Sequence, residues 1–367
     1  MSKKQICLHP FRTLEIYNTG ETSCCWCPYL KEKYSFGNIY ERSLDEIWNG
    51  IEAKIFRQDI LEGRYSFCDL EMCETNGSLT YFTEDPTEVN INSPYPLTVN
   101  FSIDRSCNLK CVMCRDKVDC NNSKVVDKLD ALIDKTFIPM LQNAKLCHPC
   151  SLGEVFVSKH TQKLIKKATE TYPNLMFCIY TNGMFCDEKH VSELGLTDKI
   201  DKLLISVHAS TKETYDKIVR GGDFDRVMKN IEWAASQQAQ GKIGSVIINF
   251  VVSSLNYKEM PEVAELAKKL NIVASFWELR SWNTSEMSEN VEKYAVFCEE
   301  HPEHKNFVEI MKNPIFQSSW VVLNDVIKNS CPQETEKQKA LRLKDESKYR
   351  KQAGFDKHIQ KPTLDFY

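Results

Sequence analysis

From Leu97 onward, short apolar segments of strand type alternate with longer helical patterns, and this alternation limits the folds open to the chain. The strand candidates are LTVNFSI from 97, AKLCHP from 144, LMFCIYT from 175, KLLISVH from 202, SVIINFVV from 245 and ASFWELR from 274. Helical patterns such as VVDKLDALIDKTFIPML and MPEVAELAKKL lie between them. Six such units predict a parallel sheet, either an incomplete barrel or an open doubly wound sheet. In both, functional groups gather in the loops after the strands' C-terminal ends.

The 367 residues hold 47 basic and 51 acidic side chains, a net charge of −4, so no global basic field recruits nucleic acid or an anionic membrane. The N-terminus, MSKKQICLHPFRTLEI, has no apolar core of a secretory signal. The most apolar stretch, Val246 to Val252, is far shorter than the roughly 20 residues a bilayer needs. A cytoplasmic chain is expected, in which thiols stay reduced. Its 16 cysteines are then metal ligands or redox groups rather than disulfides.

Three regions are expected. Residues 1–92 hold Cys7, Cys24, Cys25, Cys27, Cys68 and Cys73 around short apolar segments. One helix is predicted there from Ser43 to Leu61, with Ser43 as N-cap, Glu46 three residues on, and Leu44, Ile47, Trp48 and Ile51 at helical spacing. The polar, three-proline run TEDPTEVNINSPYP reads as a linker. Residues 93–285 carry the alternating units. Residues 286–367 lose the alternation and read as a helical, charged extension, with nine Lys/Arg and five Asp/Glu between Glu334 and Lys361 suggesting a solvated tail.

Cys107, Cys111 and Cys114 stand as C-x3-C-x2-C directly after the first candidate strand. At this cysteine content the spacing arises by chance about 0.03 times. A structural zinc site would want a fourth ligand, and buried thiols would need no spacing at all. Three thiolates on one tight loop can hold three irons of a cubane and leave the fourth open, as catalysis requires.

This trio resembles the hallmark of the radical S-adenosylmethionine (radical SAM) superfamily, over about residues 97–285. The resemblance implies an α/β fold: a partial (β/α)6 TIM-like barrel of the radical SAM type, preceded here by a small cysteine-rich domain. It also implies a 4Fe–4S cluster whose open iron chelates S-adenosylmethionine. Reductive cleavage then yields a 5′-deoxyadenosyl radical that takes a hydrogen atom from the substrate. Met113 stands where many members carry an aromatic before the third cysteine, and could pack on adenine. Ser151-Leu152-Gly153-Glu154 resembles the family's G-x-G-E segment, with Gly153 and Glu154 expected at the cofactor's methionine amino group. It lacks the first glycine and has Val155 in place of proline.

ISVHASTKETYDKIVRGGDFDRV is similar to the stretch that SPASM-containing members place near the cofactor's carboxylate and ribose. Ser206 and Arg220 are the candidates there; a surface ion pair is the alternative for Arg220. Asn249, inside the apolar fifth strand, needs a polar partner if buried, either ribose or a structural group.

Cys7-x12-Gly20-x4-Cys25 fits the opening of SPASM-type auxiliary domains, and FGNIYERSLDEIWNGIEAKIFRQDILEGRYSFC resembles the next segment of those domains. Cys7, Cys25, Cys68 and Cys73 are thereby expected to hold an auxiliary 4Fe–4S cluster; Cys24 could replace Cys25, and zinc is the alternative metal. Cys27 has no assigned role. Cys147 and Cys150 read as packing, and Cys120, Cys178, Cys186, Cys298 and Cys331 form no spaced set. His148 and His208 lie near strand ends and could face the pocket, with ordinary hydrogen bonding the simpler reading.

The resemblance implies an oxygen-sensitive enzyme of oxidoreductase or isomerase type. Its partners would be S-adenosylmethionine and an electron donor of flavodoxin or ferredoxin type, with no nucleic acid and no membrane. The expected substrate is a carbohydrate or other small molecule, because no leader-binding module is evident. A peptide maturase and a non-catalytic iron–sulfur or zinc protein are the alternatives.

Overall fold

The computed structural model describes residues 6–25, 29–70, 73, 82–83, 85, 87, 89–121, 123–281 and 284–353. Cys27 lies outside them. Its strands are β1 (Ile6–Cys7), β2 (Thr13–Tyr17), β3 (Glu21–Ser23), β4 (Gly37–Asn38), β5 (Phe82–Thr83), β6 (Thr98–Ser102), β7 (Leu146–His148), β8 (Met176–Thr181), β9 (Ile200–Ser206), β10 (Ile243–Val252), β11 (Val273–Glu278) and β12 (Val321–Leu323). All six strands expected from the sequence are present, as β6 to β11.

The main sheet runs β12-β11-β10-β9-β8-β7-β6-β2-β3-β4, and β1 pairs with β5 apart from it. From β6 to β12 the strands are parallel and follow chain order without reversal. A doubly wound sheet would reverse at a switch point, so the partial barrel is the architecture adopted. The sheet stays open, its end strands β12 and β4 not paired with each other. Cys178, Leu204, Ile247, Val273 and Val322, from five successive strands, form a cluster of their own, separate from the main core outside the sheet.

The outer face is covered by helices that begin just after the strands. Ser158, Asp187, Thr211 and Asp223 each cap one by accepting a backbone N–H. The helix Met260–Leu270 buries Met260, Val263, Ala264 and Ala267 and ends on Asn271 in the left-handed conformation. The pattern expected over 125–141 is interrupted. A π-turn at Ile133–Phe137 follows the helix Ser123–Leu132 and seats Phe137, fully buried, 5.4 Å from Phe101.

Three expectations are corrected. The helix predicted from Ser43 to Leu61 is two, Leu44–Trp48 and Ile51–Leu61, because Gly50 is extended (ψ 171°) and starts the second; the Ser43–Glu46 capping box is present. The C-terminal region contributes β12, parallel to β11, which at three residues is too short to show a period. The charged helix Glu336–Gln352 is also pinned: Glu346 is buried and accepts from Ser319 N–H and Oγ at 3.0 and 2.6 Å.

The cysteine-rich N-terminal region shares the barrel's sheet. Strand β2 pairs parallel with β6 from Thr13–Thr98 to Tyr17–Ser102. Leu14 and Ile16 are fully buried on it, each stabilising the seam by about 1.5–3 kcal/mol. On the other face Ser102 Oγ donates to Glu15 Oε1 at 2.5 Å. Arg57, buried beneath Trp48, ties the flanks together by donating to Pro10 O and Ile91 O.

Candidate functional site

The loop after β6 carries the three-cysteine turn, and its neighbours fix its shape. Cys107 N–H donates to Asp119 O, while Cys114 N–H and Arg115 N–H both donate to Cys111 O. Lys110 N–H and Val112 N–H donate to Arg220 O and Ile218 O. At the base, buried Asp104 accepts from Ser106 N–H, Asn121 Nδ2 and Ser158 Oγ. Arg115 donates to Arg105 O at 2.7 Å and Leu152 O at 2.8 Å, and its charge lies beside Cys114 and Cys107.

The Ser151–Glu154 segment docks on that base. Glu154 N–H donates to Ser106 O at 2.8 Å, and a Cβ on Gly153 would fall 2.7 Å from Asp104 O. Glycine is therefore required here by backbone against backbone. The Glu154 side chain is buried, accepting from Thr181 Oγ1 at 2.7 Å and Asn182 N–H at 2.6 Å. Burial pushes its carboxyl up to about 7 despite these donors.

A cavity of about 350 Å³ opens above these groups. Cys107, Cys111, Cys114, Met113, Gly153, Glu154, Ser206, His208 and Asn249 all line it, so the structure gathers these sequence candidates at one place. Arg220 is the exception. Its side chain is exposed and does not line the cavity; only its carbonyl braces the cysteine loop. His148, also off the cavity, is buried at the β7 end, where burial and the Lys202 charge push it down to about 3. Cys147 and Cys150 are buried in the core, consistent with packing.

Sequence reasoning missed Arg115, Asn182, Glu278 and Arg280. Asn182 follows β8 directly, a strand-end position that could have drawn notice; Arg115 borders the third cysteine but carries no motif of its own. Glu278 holds Arg280 with Oε1, and its buried Oε2 has no partner among the described residues. Arg280 donates to the hydroxyl of Tyr29 at 3.3 Å, joining the cavity wall to the N-terminal region. Tyr29 in turn belongs to the segment bridged to Cys68 through Leu30.

Cys7, Cys25, Cys68 and Cys73 come together from separated segments. Burial, then the other thiols, raises Cys7 and Cys25, and Cys68 is pushed up to about 12. Cys25 feels all three of the others, whereas Cys24 feels Cys68 and Cys7 and sits within the core, 1% exposed. In the trio, burial raises Cys111 and Cys107 while Arg115 opposes the rise. Among the described residues no three His, Cys, Asp or Glu side chains are gathered as ligands of a single metal ion. Topology and mutual electrostatic influence define the two sets. Soft sulfurs alone in each suit iron–sulfur clusters, and a buried carboxylate with an unpartnered Asn249 Oδ1 across the cavity suits a polar cofactor beside the trio.

A partial βα barrel with three cysteines at the first core strand's end defines a class, that of barrel proteins built around an iron–sulfur loop. Residues 101–267 match the radical SAM superfamily, and residues 7–74 match the SPASM iron–sulfur cluster-binding domain. Residues 101–267 thus carry a radical SAM domain, with the SPASM domain at its N-terminal side. Members bind a 4Fe–4S cluster and S-adenosylmethionine, and SPASM domains bind auxiliary iron–sulfur clusters. A GTP 3′,8-cyclase of Clostridium perfringens (strain SM101 / Type A) is 28% identical over 190 residues, 49% of this chain and 54% of that protein. The chain thus spans about half the length of the curated relatives it matches. Methylornithine synthase shares 10% identity over 52% of this chain and 56% of its own, at a TM-score of 0.36. The protein anSMEcpe, solved with AdoMet and a peptide, shares 15% over 62% of each chain, at 0.37. No helix among the described residues is long and apolar enough to cross a membrane.

Proposed function

We propose that this protein binds S-adenosylmethionine at the cavity and uses it to take a hydrogen atom from a small, hydroxylated substrate. The observation that carries this reading is the opening of the three-cysteine turn onto the same cavity as buried Glu154. When bound, the cluster and S-adenosylmethionine supply the 5′-deoxyadenosyl radical. Cys107, Cys111 and Cys114 would hold the cluster, with Arg115 easing the ionisation of Cys107 and Cys111. Glu154, fixed by Thr181 and Asn182, accepts hydrogen bonds from the cofactor's ammonium, whose charge returns the carboxyl to its ionised form. Met113, Gly153 and Ser206 complete the cofactor's surroundings. Leu204, Val251, Trp277 and Leu279 wall the cavity with apolar surface that keeps water from a radical. Cys7, Cys25, Cys68 and Cys73 hold the auxiliary cluster.

The cavity's cations argue against a polyphosphate such as GTP. Among the described lining residues these are Arg115 and Arg280, and both already serve protein acceptors. The test uses protein reconstituted with iron and sulfide without oxygen, then given dithionite and S-adenosylmethionine. 5′-Deoxyadenosine is expected, and GTP should not change its yield. Protein that binds iron yet forms no 5′-deoxyadenosine overturns the reading.

A further inference from the structure

Arg57 is a buried cation without a counter-ion. It is 0% exposed, and its guanidinium lies 4.3 Å from the centre of the Trp48 ring. Nε donates to Pro10 O at 2.8 Å and Nη1 to Ile91 O at 3.1 Å. Nη2 is buried too and has no acceptor, and among the described residues no carboxylate pairs with this side chain. A guanidinium keeps its proton, and burial lowers Arg57 only to about 10. Two carbonyls and a ring face solvate the charge in part. They do not neutralise it, and a buried charge left unneutralised is costly to fold around. The fold calls for an anion.

The helix that carries Arg57, Ile51–Leu61, reaches three segments of the Cys7, Cys25, Cys68 and Cys73 set. Pro10, which receives Nε, stands three residues after Cys7. Phe56, next to Arg57, stacks at 5.5 Å on Phe67, next to Cys68. Cys24, next to Cys25, is buried in the same core and feels Arg57 together with Cys68 and Cys7. Cys24 is not the missing anion: burial, Cys68 and Cys7 outweigh the cation and keep it a neutral thiol. Nor is Asp59, whose carboxylate is already taken by Arg64 Nε at 2.8 Å and Ser66 N–H at 2.7 Å. Ser23 Oγ, buried one residue before Cys24, is a second polar atom with no partner among the described residues.

A cubane on four thiolates is anionic, and one-electron reduction adds a further negative charge. We propose that Arg57 is the buried counter-cation of the auxiliary cluster, acting from the Cys24 side of the set through its field rather than by contact, and that it favours the reduced cluster. This rests on Cys7, Cys25, Cys68 and Cys73 holding an iron–sulfur cluster. The electron comes from an external reductant, and no bond forms or breaks. Buried surroundings keep the field strong and out of reach of salt. Lys31, whose charge also bears on Cys68, is exposed and acts through water.

Full-length protein carrying Cys107→Ala, Cys111→Ala and Cys114→Ala together, reconstituted with iron and sulfide, leaves the auxiliary cluster as sole reporter. Its midpoint potential is read by electron paramagnetic resonance during a dithionite titration. Arg57→Met keeps the bulk and removes the charge; it should shift the reduction equilibrium about tenfold toward the oxidised form, a fall of about 59 mV. Arg57→Lys should restore most of that shift, and Cys24→Ala should leave the potential near that of wild type. Arg57→Met with an unmoved potential, or Arg57→Lys as low as Arg57→Met, overturns the proposal. A merely structural arginine would lower the melting temperature without moving the potential. Should Arg57→Met take up no iron, 15N-arginine-labelled protein with residue 57 intact decides. Its buried guanidinium signal, identified by its loss in Arg57→Lys, should broaden when reduction makes the cluster paramagnetic, and an unchanged signal overturns the proposal. Zinc in place of iron at the set overturns it together with the cluster assignment. Protein with the trio intact is assayed for 5′-deoxyadenosine. A yield with an unmoved potential sinks the counter-cation alone, whereas a moved potential without any yield sinks the functional reading and leaves the role of Arg57 standing.

Discussion

The two cysteine sets differ in how they are assembled. Cys107, Cys111 and Cys114 come from one turn, braced by backbone bonds to the Ile218–Arg220 stretch and to Asp119. Cys7, Cys25, Cys68 and Cys73 converge from β1, the segment after β3, the partner of Leu30, and beyond. The trio opens on a cavity and has Arg115 beside it; Cys25 is raised by burial and by four other thiols, with no cation opposing. On the proposed ligation, a local turn leaves a coordination position free for chemistry, while a set drawn from four distant segments would staple a small domain.

That contrast can be broken experimentally. The largest effect is expected from Cys107→Ala, Cys111→Ala or Cys114→Ala: complete loss of 5′-deoxyadenosine together with about four irons per chain, read by product and iron assays, the fold otherwise kept. Cys25→Ala should lose a similar amount of iron and, because the set staples the domain, lower the melting temperature as well. Cys24→Ala should keep its iron and cost only about 1–2 kcal/mol for the small hole left in the core. Equal iron loss in both would return Cys24 to the ligand set.

Glu154→Gln removes the charged acceptor and should weaken S-adenosylmethionine binding about 10- to 100-fold, measured by equilibrium dialysis at pH 8. In the wild type, affinity should fall as pH drops from 8 to 6, because the carboxyl at about 7 becomes protonated and no longer favours an ammonium.

The smallest effect lies at the seam between the regions. Burial pushes Glu15 up to about 7, so the folded protein holds this proton more tightly than the unfolded chain. That contribution is present below the unfolded value, near 4.5, and is lost as pH rises through about 7. Glu15→Gln should be about 1–3 kcal/mol more stable than wild type at pH 8 and little different at pH 5, by denaturant titration.

The sequence was most legible where a signal was local. β6 to β11 announced themselves as apolar runs between helices, the trio by spacing, and the Ser43–Glu46 capping box by its four-residue pattern. Gly153 also answers to a constraint its motif does not express, the Asp104–Ser106 backbone that a Cβ would strike. Where a role depends on distant chain, reading failed. Thr13–Tyr17 gave no hint that β6 would be its partner, and Arg220 matched a motif while its side chain faces solvent. Adjacent Cys24 and Cys25 point to different surroundings, a distinction that spacing cannot express.

The β2–β6 pairing also bears on how the chain is made. Ribosomes deliver the cysteine-rich region first, and β2 then waits through the whole of that region for β6 to emerge. Once the two join, the edge of the nascent barrel on that side is already covered, and each later strand adds to the free side in chain order. β2 is thus placed to act as a template for β6, the first strand of the barrel. Excising that domain would remove the template and leave β6 as a bare edge, open to pairing with other chains.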